Sequence, residues 1–340
     1  MNQTSPHFIP RQRGISLIEL MVAMAIGLVV IGAVFSTYLH SKAGSRQAAA
    51  LSQVSEDASI TLGILRAHVS MAGFSQPDAN NGFDGFGINR RLKGAAIIGC
   101  DGGFKSGEYA MKPSAVTCKT IAAGAAINPP DSLIVRYEAD ERNGPLVSPT
   151  GGGTDAPADC VGTALVKGAS PLDYWVSDSR FKIDTDSTDG KNLGLKCLGS
   201  GKHATIDVDF DAAAATTNFG GPGNGFQPLV NNIEDMQISY GVADTAQVVP
   251  VGGVTAVNRP GKRVVRYINA SDVGDPITGD WDKVIAVRIC LVVRSEDNVL
   301  DQATPYRGCS NAAAPTTVMT PTDRRIYRAF TTTVVLNNRI

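Results

Sequence analysis

The 340-residue chain is poor in charge, in histidine and in aromatic rings, and each shortage closes off a class of function. Lys and Arg number 31 against 32 Asp and Glu, a formal net charge of -1, so the basic excess of a nucleic-acid surface is missing. Of the four histidines, His7, His40 and His68 lie before residue 70, which leaves His203 alone in the rest of the chain. A Ser-His-Asp or Cys-His site there would have to use His203, and no GxSxG elbow accompanies it. The glycine-rich "GGPGNG" at 220–225 lacks the lysine of a phosphate-binding loop. No two cysteines form a CxxC pair, which argues against zinc and against a thioredoxin-like redox site. No enzyme activity and no cofactor is therefore expected. Two further absences are local. Proline is missing between Pro10 and Pro77, and residues 15–39 hold a single formal charge, Glu19.

Those local absences describe a helix. At ~1.5 Å per residue, the run from Ile15 to Leu39 spans ~37 Å, enough to cross a hydrocarbon core of ~30 Å. A secretory signal peptide is the alternative, but "AVFSTYLHSKA" offers a weak cleavage site and the helical pattern continues. Beyond the apolar run, Leu51, Val54, Ala58, Leu62, Leu65 and Val69 recur at steps of three or four, an amphipathic stripe. One helix is expected from about Ile15 to about Met71, ended by Gly73 as C-cap with Pro77 beyond. Arg11 and Arg13 precede the run and residues 1–14 contain no acid, which places the N-terminus in the cytoplasm and the body outside it.

Glu19 is the anomaly. A carboxylate at membrane depth costs ~2.5–3.5 kcal/mol on insertion scales and implies a functional partner. The nearest downstream base on the helix, His40, is more than five turns away. The partner must come from elsewhere, and the amine of another subunit would fit.

"RGISLIELMVA" resembles the class III signal of type IV pilins and of the related pseudopilins of type II secretion. The resemblance implies a basic leader, residues 1–14, cut after Gly14 by a prepilin peptidase. Ile15 would become the N-methylated first residue, and Glu19, fifth in the mature chain, the assembly carboxylate that meets a neighbour's amine. Ile15 stands where the family often has Phe, and the later apolar helix lacks the proline of many major pilins. "LVNNIEDMQISYGV" (229–242), "WDKVIAVRICLVVRSE" (281–296) and "RRIYRAFTTTVVLNNR" (324–339) resemble the C-terminal half of PilW-type minor pilins. That likeness implies a minor pilin in the priming or tip complex of a type IV pilus, serving twitching motility and adhesion. Its implied partners are other minor pilins, the major pilin, the prepilin peptidase, the inner membrane and a tip adhesin. A large pseudopilin of type II secretion is the alternative, and a membrane-tethered periplasmic binding module or enzyme a third.

The body reads as an α+β fold of pilin type, its long helix packed on an antiparallel sheet. Strand-like pieces occur at 132–137, 172–183, 203–210, 281–293 and 329–336, separated by loops dense in Gly, Pro and Asp. Removing 14 leader residues from 340 leaves 326, large for a pilin, so the extra length is assigned to the middle. The expected division is leader 1–14, membrane helix 15–39, amphipathic helix 40–74, a β-rich variable or inserted region 75–230, and a C-terminal sheet 231–340. In an exported body the six cysteines suggest disulfides between neighbours: Cys100–Cys118, Cys160–Cys197 and Cys290–Cys309. Unpaired buried thiols are the alternative. Asp184, Asp186 and Asp189 before Gly190 form a weak candidate calcium loop, misspaced for an EF-hand; a solvated Asp/Gly turn is the simpler reading.

Overall fold

The chain between the two prolines forms one helix, α1 (Leu17–Met71), in a computed structural model of the protein. The structure describes residues 14, 16–77, 92, 95–110, 115–121, 129–148, 155–167, 174–185, 193–201, 225–243, 263–275, 279–309 and 318–339. By its contacts the chain divides into two units, 1–49 and 50–340.

In the first unit the helix begins at Ser16, whose carbonyl accepts the amides of Glu19 and Leu20, both at 3.1 Å. Its apolar side chains are exposed throughout, Leu17 at 77% and Val29 at 73%.

In the second unit the helix is one-sided. Ala50, Val54, Ala58, Thr61, Leu65 and Val69 are buried, close to the expected stripe, while Leu51 and Leu62 are only half-buried. Thr61 takes a core place despite its hydroxyl, because Oγ1 donates to the Asp57 carbonyl at 2.7 Å within the same helix. The helix ends where expected. Gly73 adopts φ 73°, which costs glycine little, and its N–H donates to the Arg136 carbonyl at 2.9 Å. The Asn338 side-chain amide donates to the Ser70 and Met71 carbonyls, so the far end of the chain caps the helix.

Strands then follow in chain order. β1 (Ile97–Cys100) precedes a ribbon of β2 (Phe104–Ser106) and β3 (Thr117–Cys118). β4 (Ser132–Ala139) leads to a second ribbon, β5 (Leu146–Val147) with β6 (Ala156–Pro157). β7 (Trp175–Thr185), β8 (Leu193–Gly199) and β9 (Gln227–Asn231) complete an antiparallel sheet in the order β1-β4-β7-β8-β9. β10 (Ile233–Ala243), β11 (Val264–Ile268), a short α2 (Ala270–Val273) and β12 (Val284–Arg294) come next. A third ribbon, β13 (Tyr306–Arg307) with β14 (Val318–Met319), precedes β15 (Tyr327–Val335). The second large sheet is also antiparallel, ordered β11-β10-β12-β15.

The body thus carries two antiparallel sheets, and the middle of the chain, expected to be a β-rich variable or inserted region, builds the first of them. Asn232, with φ 65°, is the residue between them. The strand expected at 281–293 starts three residues late, because Trp281–Lys283 form a 3-10 turn. There the Trp281 indole donates to the Gly274 carbonyl at 3.0 Å, and Lys283 pairs with Asp280 at 2.8 Å. Trp281 is therefore a core residue ahead of the strand, while Trp175 opens β7. The strand expected at 203–210, with His203, lies outside the described residues.

Two contacts lock the sheets together. Tyr240 of β10 lies on Gly99 of β1, where any Cβ would overlap its hydroxyl, and packs edge-on to Trp281 at 5.0 Å. Asp131 extends the β10 ladder: its N–H donates to the Met236 carbonyl, and its carboxylate accepts the Ile238 amide at 2.7 Å and the Gly102 amide at 2.9 Å. Burial, with Asp101 nearby, pushes the Asp131 pKa well up, while those two amides pull against the rise. On β4 and β7, Asp178 holds Arg180 at 2.9 Å and lies 3.6 Å from Arg136, all three fully buried. Arg180 also donates to the Glu108 carbonyl at 2.9 Å, which fixes the connection between β2 and β3 on the sheet.

Candidate assembly site

The functional surface is built by composition before geometry. The most apolar 18-residue window of α1 has a mean hydropathy of 2.6, and none of it is buried within the protein. Isolated exposed apolar residues need no explanation, but a continuous helical surface of Leu, Ile, Val, Met and Phe must meet lipid or other protein. Its backbone is satisfied internally by the helix, and Thr37 returns its hydroxyl to the Ala33 carbonyl at 3.0 Å. The segment is thus free of unmet polar demands except at one point.

That point is Glu19, in the first turn of α1. The positive end of the helix dipole favours a carboxylate there, worth ~0.3–1 kcal/mol, less than the ~2.5–3.5 kcal/mol cost of membrane depth. The helix end alone cannot hold the charge. Gly14 is exposed and non-helical, five residues before Glu19, while Ile15 lies outside the described residues.

The other expected residues fall elsewhere. The cysteines form three bridges, Cys100–Cys118, Cys160–Cys197 and Cys290–Cys309, with none free. The first holds β1 to the β2–β3 ribbon, the second ties a loop to β8, and the third ties the segment after β12 back to it. Asp184 is engaged by Lys182 at 3.1 Å and by the Thr185 amide at 2.8 Å; Asp186 and Asp189 lie outside the described residues. No cluster of three His, Cys, Asp or Glu side chains suited to a metal occurs among the described residues. His40 is exposed, whereas His68 packs its ring against Phe181 and Tyr137 at 5.3 and 6.4 Å. Burial lowers the His68 pKa to about 4, and its Nδ1 is enclosed without a partner among the described residues. Sequence reasoning passed over Asp131, because a lone aspartate before a strand carries no signal of the distant amides it will accept.

Two family models match the chain, one at each end. A prokaryotic N-terminal methylation motif covers residues 9–35, which contain Gly14, Ile15 and Glu19. The type IV pilus-assembly protein W family covers residues 213–338, from before β9 through the whole second sheet. Together the two matches support a PilW-type minor pilin of a type IV pilus. No curated protein matches it. Among solved structures it is similar to a type IV-like pilin from Thermus thermophilus, at 11% identity and a TM-score of 0.36, covering 84% of this chain and 97% of that one. So distant a likeness carries no argument of its own. The PilW match falls on the second sheet, and the first sheet, Ile97–Asn231, stands almost wholly outside both matched regions. The apolar surface of α1, with the methylation motif at its start, suits membrane anchoring in a pilus.

Proposed function

We propose that this pilin enters the membrane with residues 1–14 in the cytoplasm, is cut after Gly14, and joins the priming complex at the fibre tip through Glu19. The observation that carries the reading is the single carboxylate in the first turn of α1, in a stretch that is exposed and otherwise free of formal charge as far as Leu39. Cutting after Gly14 creates a cationic amine at Ile15, and N-methylation keeps it cationic. Each subunit then offers one cation and one anion near the same end of its helix. Within hydrocarbon two such charges attract far more strongly than in water, so pairing between subunits offsets the cost of burying each. Pairing amine to carboxylate also sets the axial register of one helix on the next.

A tip position is supported by bulk. Four strands of the first sheet, β1, β4, β7 and β8, lie outside the PilW-matched region, and a closely repeating shaft would have to accommodate that addition at every subunit. At an end of the fibre it has room. The partners are then other minor pilins and the major pilin, with the prepilin peptidase acting beforehand and a tip adhesin as a further neighbour.

The test is the content of this chain in sheared fibres from cells making wild type or Glu19→Ala. The expected result is a fall of at least about tenfold in fibre content, the change that ~1.4 kcal/mol produces, with membrane levels unchanged. Undiminished incorporation contradicts the reading. Fibre loss on deletion with secretion intact places the protein in the pilus; the reverse places it in type II secretion.

A further inference from the structure

A cleft of about 380 Å³ opens between the buried half of α1 and the junction of the two sheets, lined by Gln53, Asp57, Ile60, Val230, Asn232 and Glu296 among others. Its charge is one-sided, with two carboxylates and no basic side chain among the lining residues. Asp57 Oδ2 is enclosed and has no hydrogen-bond partner among the described residues. Burial raises the Asp57 pKa, Asn232 opposes the rise by a side-chain hydrogen bond, and Glu56 and Glu296 add to it. The contact between Gln53 Nε2 and Glu296 Oε2 is long, at 3.4 Å. Asn232, 7% exposed, is the one non-glycine residue at positive φ among the described residues, and its carbonyl accepts the Arg294 amide at 2.9 Å. The backbone is therefore held in an uncommon conformation at the point where Asn232 meets Asp57.

We propose that this cleft receives a lysine side chain from a neighbouring pilin subunit in the fibre. The inference rests on the fibre reading above. An enclosed carboxylate oxygen without a donor is costly, and a cation supplied on assembly relieves that cost. Ile60, Leu229 and Val230 give an apolar wall for a methylene stem, with Asp57 and Glu296 to take the ammonium. The donor set suits an amine, since the three acidic or histidine ligands that a divalent ion prefers do not occur together among the described residues. Gln53, where the cleft starts, lies fourteen residues along α1 from Leu39, the end of the exposed apolar stretch. The ion pair adds specificity to an apolar association that has little of its own.

The test is zero-length carbodiimide coupling of carboxylates to amines in sheared fibres carrying the full chain, followed by peptide mass spectrometry. The expected product joins Asp57 or Glu296 to a lysine of another subunit. The double variant Asp57→Asn, Glu296→Gln should lose the product and fall about tenfold in fibre content. Its detergent-solubilised chain should unfold at the wild-type denaturant midpoint, and Asp57→Glu should restore the product. Coupling to a lysine of the same chain, no coupling in wild-type fibres, or undiminished content of the double variant overturns the proposal and leaves the pilus reading standing. Absence of the wild-type chain from fibres overturns both.

Discussion

The two halves of α1 share a backbone conformation and little else. Between Leu17 and Leu39 apolar side chains point in every direction and stay exposed; between Ala50 and Val69 only one stripe is buried. Helical propensity cannot distinguish them, because neither half contains proline. What differs is the solvent each surface is written for. The first is suited to lipid and to other helices, and carries one formal charge, Glu19. The second is made for this chain's own sheets, and its only core hydroxyl, Thr61, is satisfied inside the helix.

The comparison predicts that substitutions in the halves fail in different assays. Glu19→Ala should nearly abolish fibre content while leaving the unfolding of the body unchanged; a matching loss of body stability would erase the distinction. Leu65→Ala, at a fully buried position, should cost ~2–5 kcal/mol in denaturant unfolding of the detergent-solubilised chain. Acid should lower the stability of the body through His68 of the second half. His68 has a folded pKa of about 4, below its unfolded value of ~6.5. The unfolded state therefore takes the proton first, and stability falls as pH drops from ~6.5 towards 4. The loss approaches ~2–3 kcal/mol, and His68→Gln should flatten that slope in unfolding measured against pH.

Gly99→Ala should cost ~1–3 kcal/mol through overlap with the Tyr240 hydroxyl. Tyr240→Phe should restore only part of it, because the ring carbon Cζ would still lie 2.5 Å from the new Cβ, while the lost hydroxyl has no hydrogen-bond partner among the described residues. A double-mutant cycle of unfolding free energies reads the coupling. The smallest effect is expected for Leu28→Ala, 71% exposed, which should move body stability by no more than ~0.5 kcal/mol.

The helix was legible in sequence because its signals are local. Absent proline, a stripe at steps of three and four, and Gly73 bracket α1 with an error of two residues at its start. Strands β4, β7, β12 and β15 were legible for the same reason, as short β-branched runs. The division into two sheets was not. It depends on Asp131 reaching Ile238 and on Tyr240 reaching Gly99, pairs more than 100 residues apart with no local signature. Trp281 looked like a strand residue because a 3-10 turn leading into a strand shares its composition. The candidate assembly carboxylate, Glu19, stood out in the sequence for an equally local reason. A charge in an apolar run is visible without coordinates, and the structure adds that it sits in the first helical turn.

The most direct measurement is the mature N-terminus, read by mass spectrometry of membranes from cells with and without prepilin peptidase. A chain beginning with N-methylated Ile15 when the peptidase is present, and retaining residues 1–14 when it is absent, is the predicted result. A chain that still begins at Met1 with active peptidase, or one that begins near residue 40, would contradict the account.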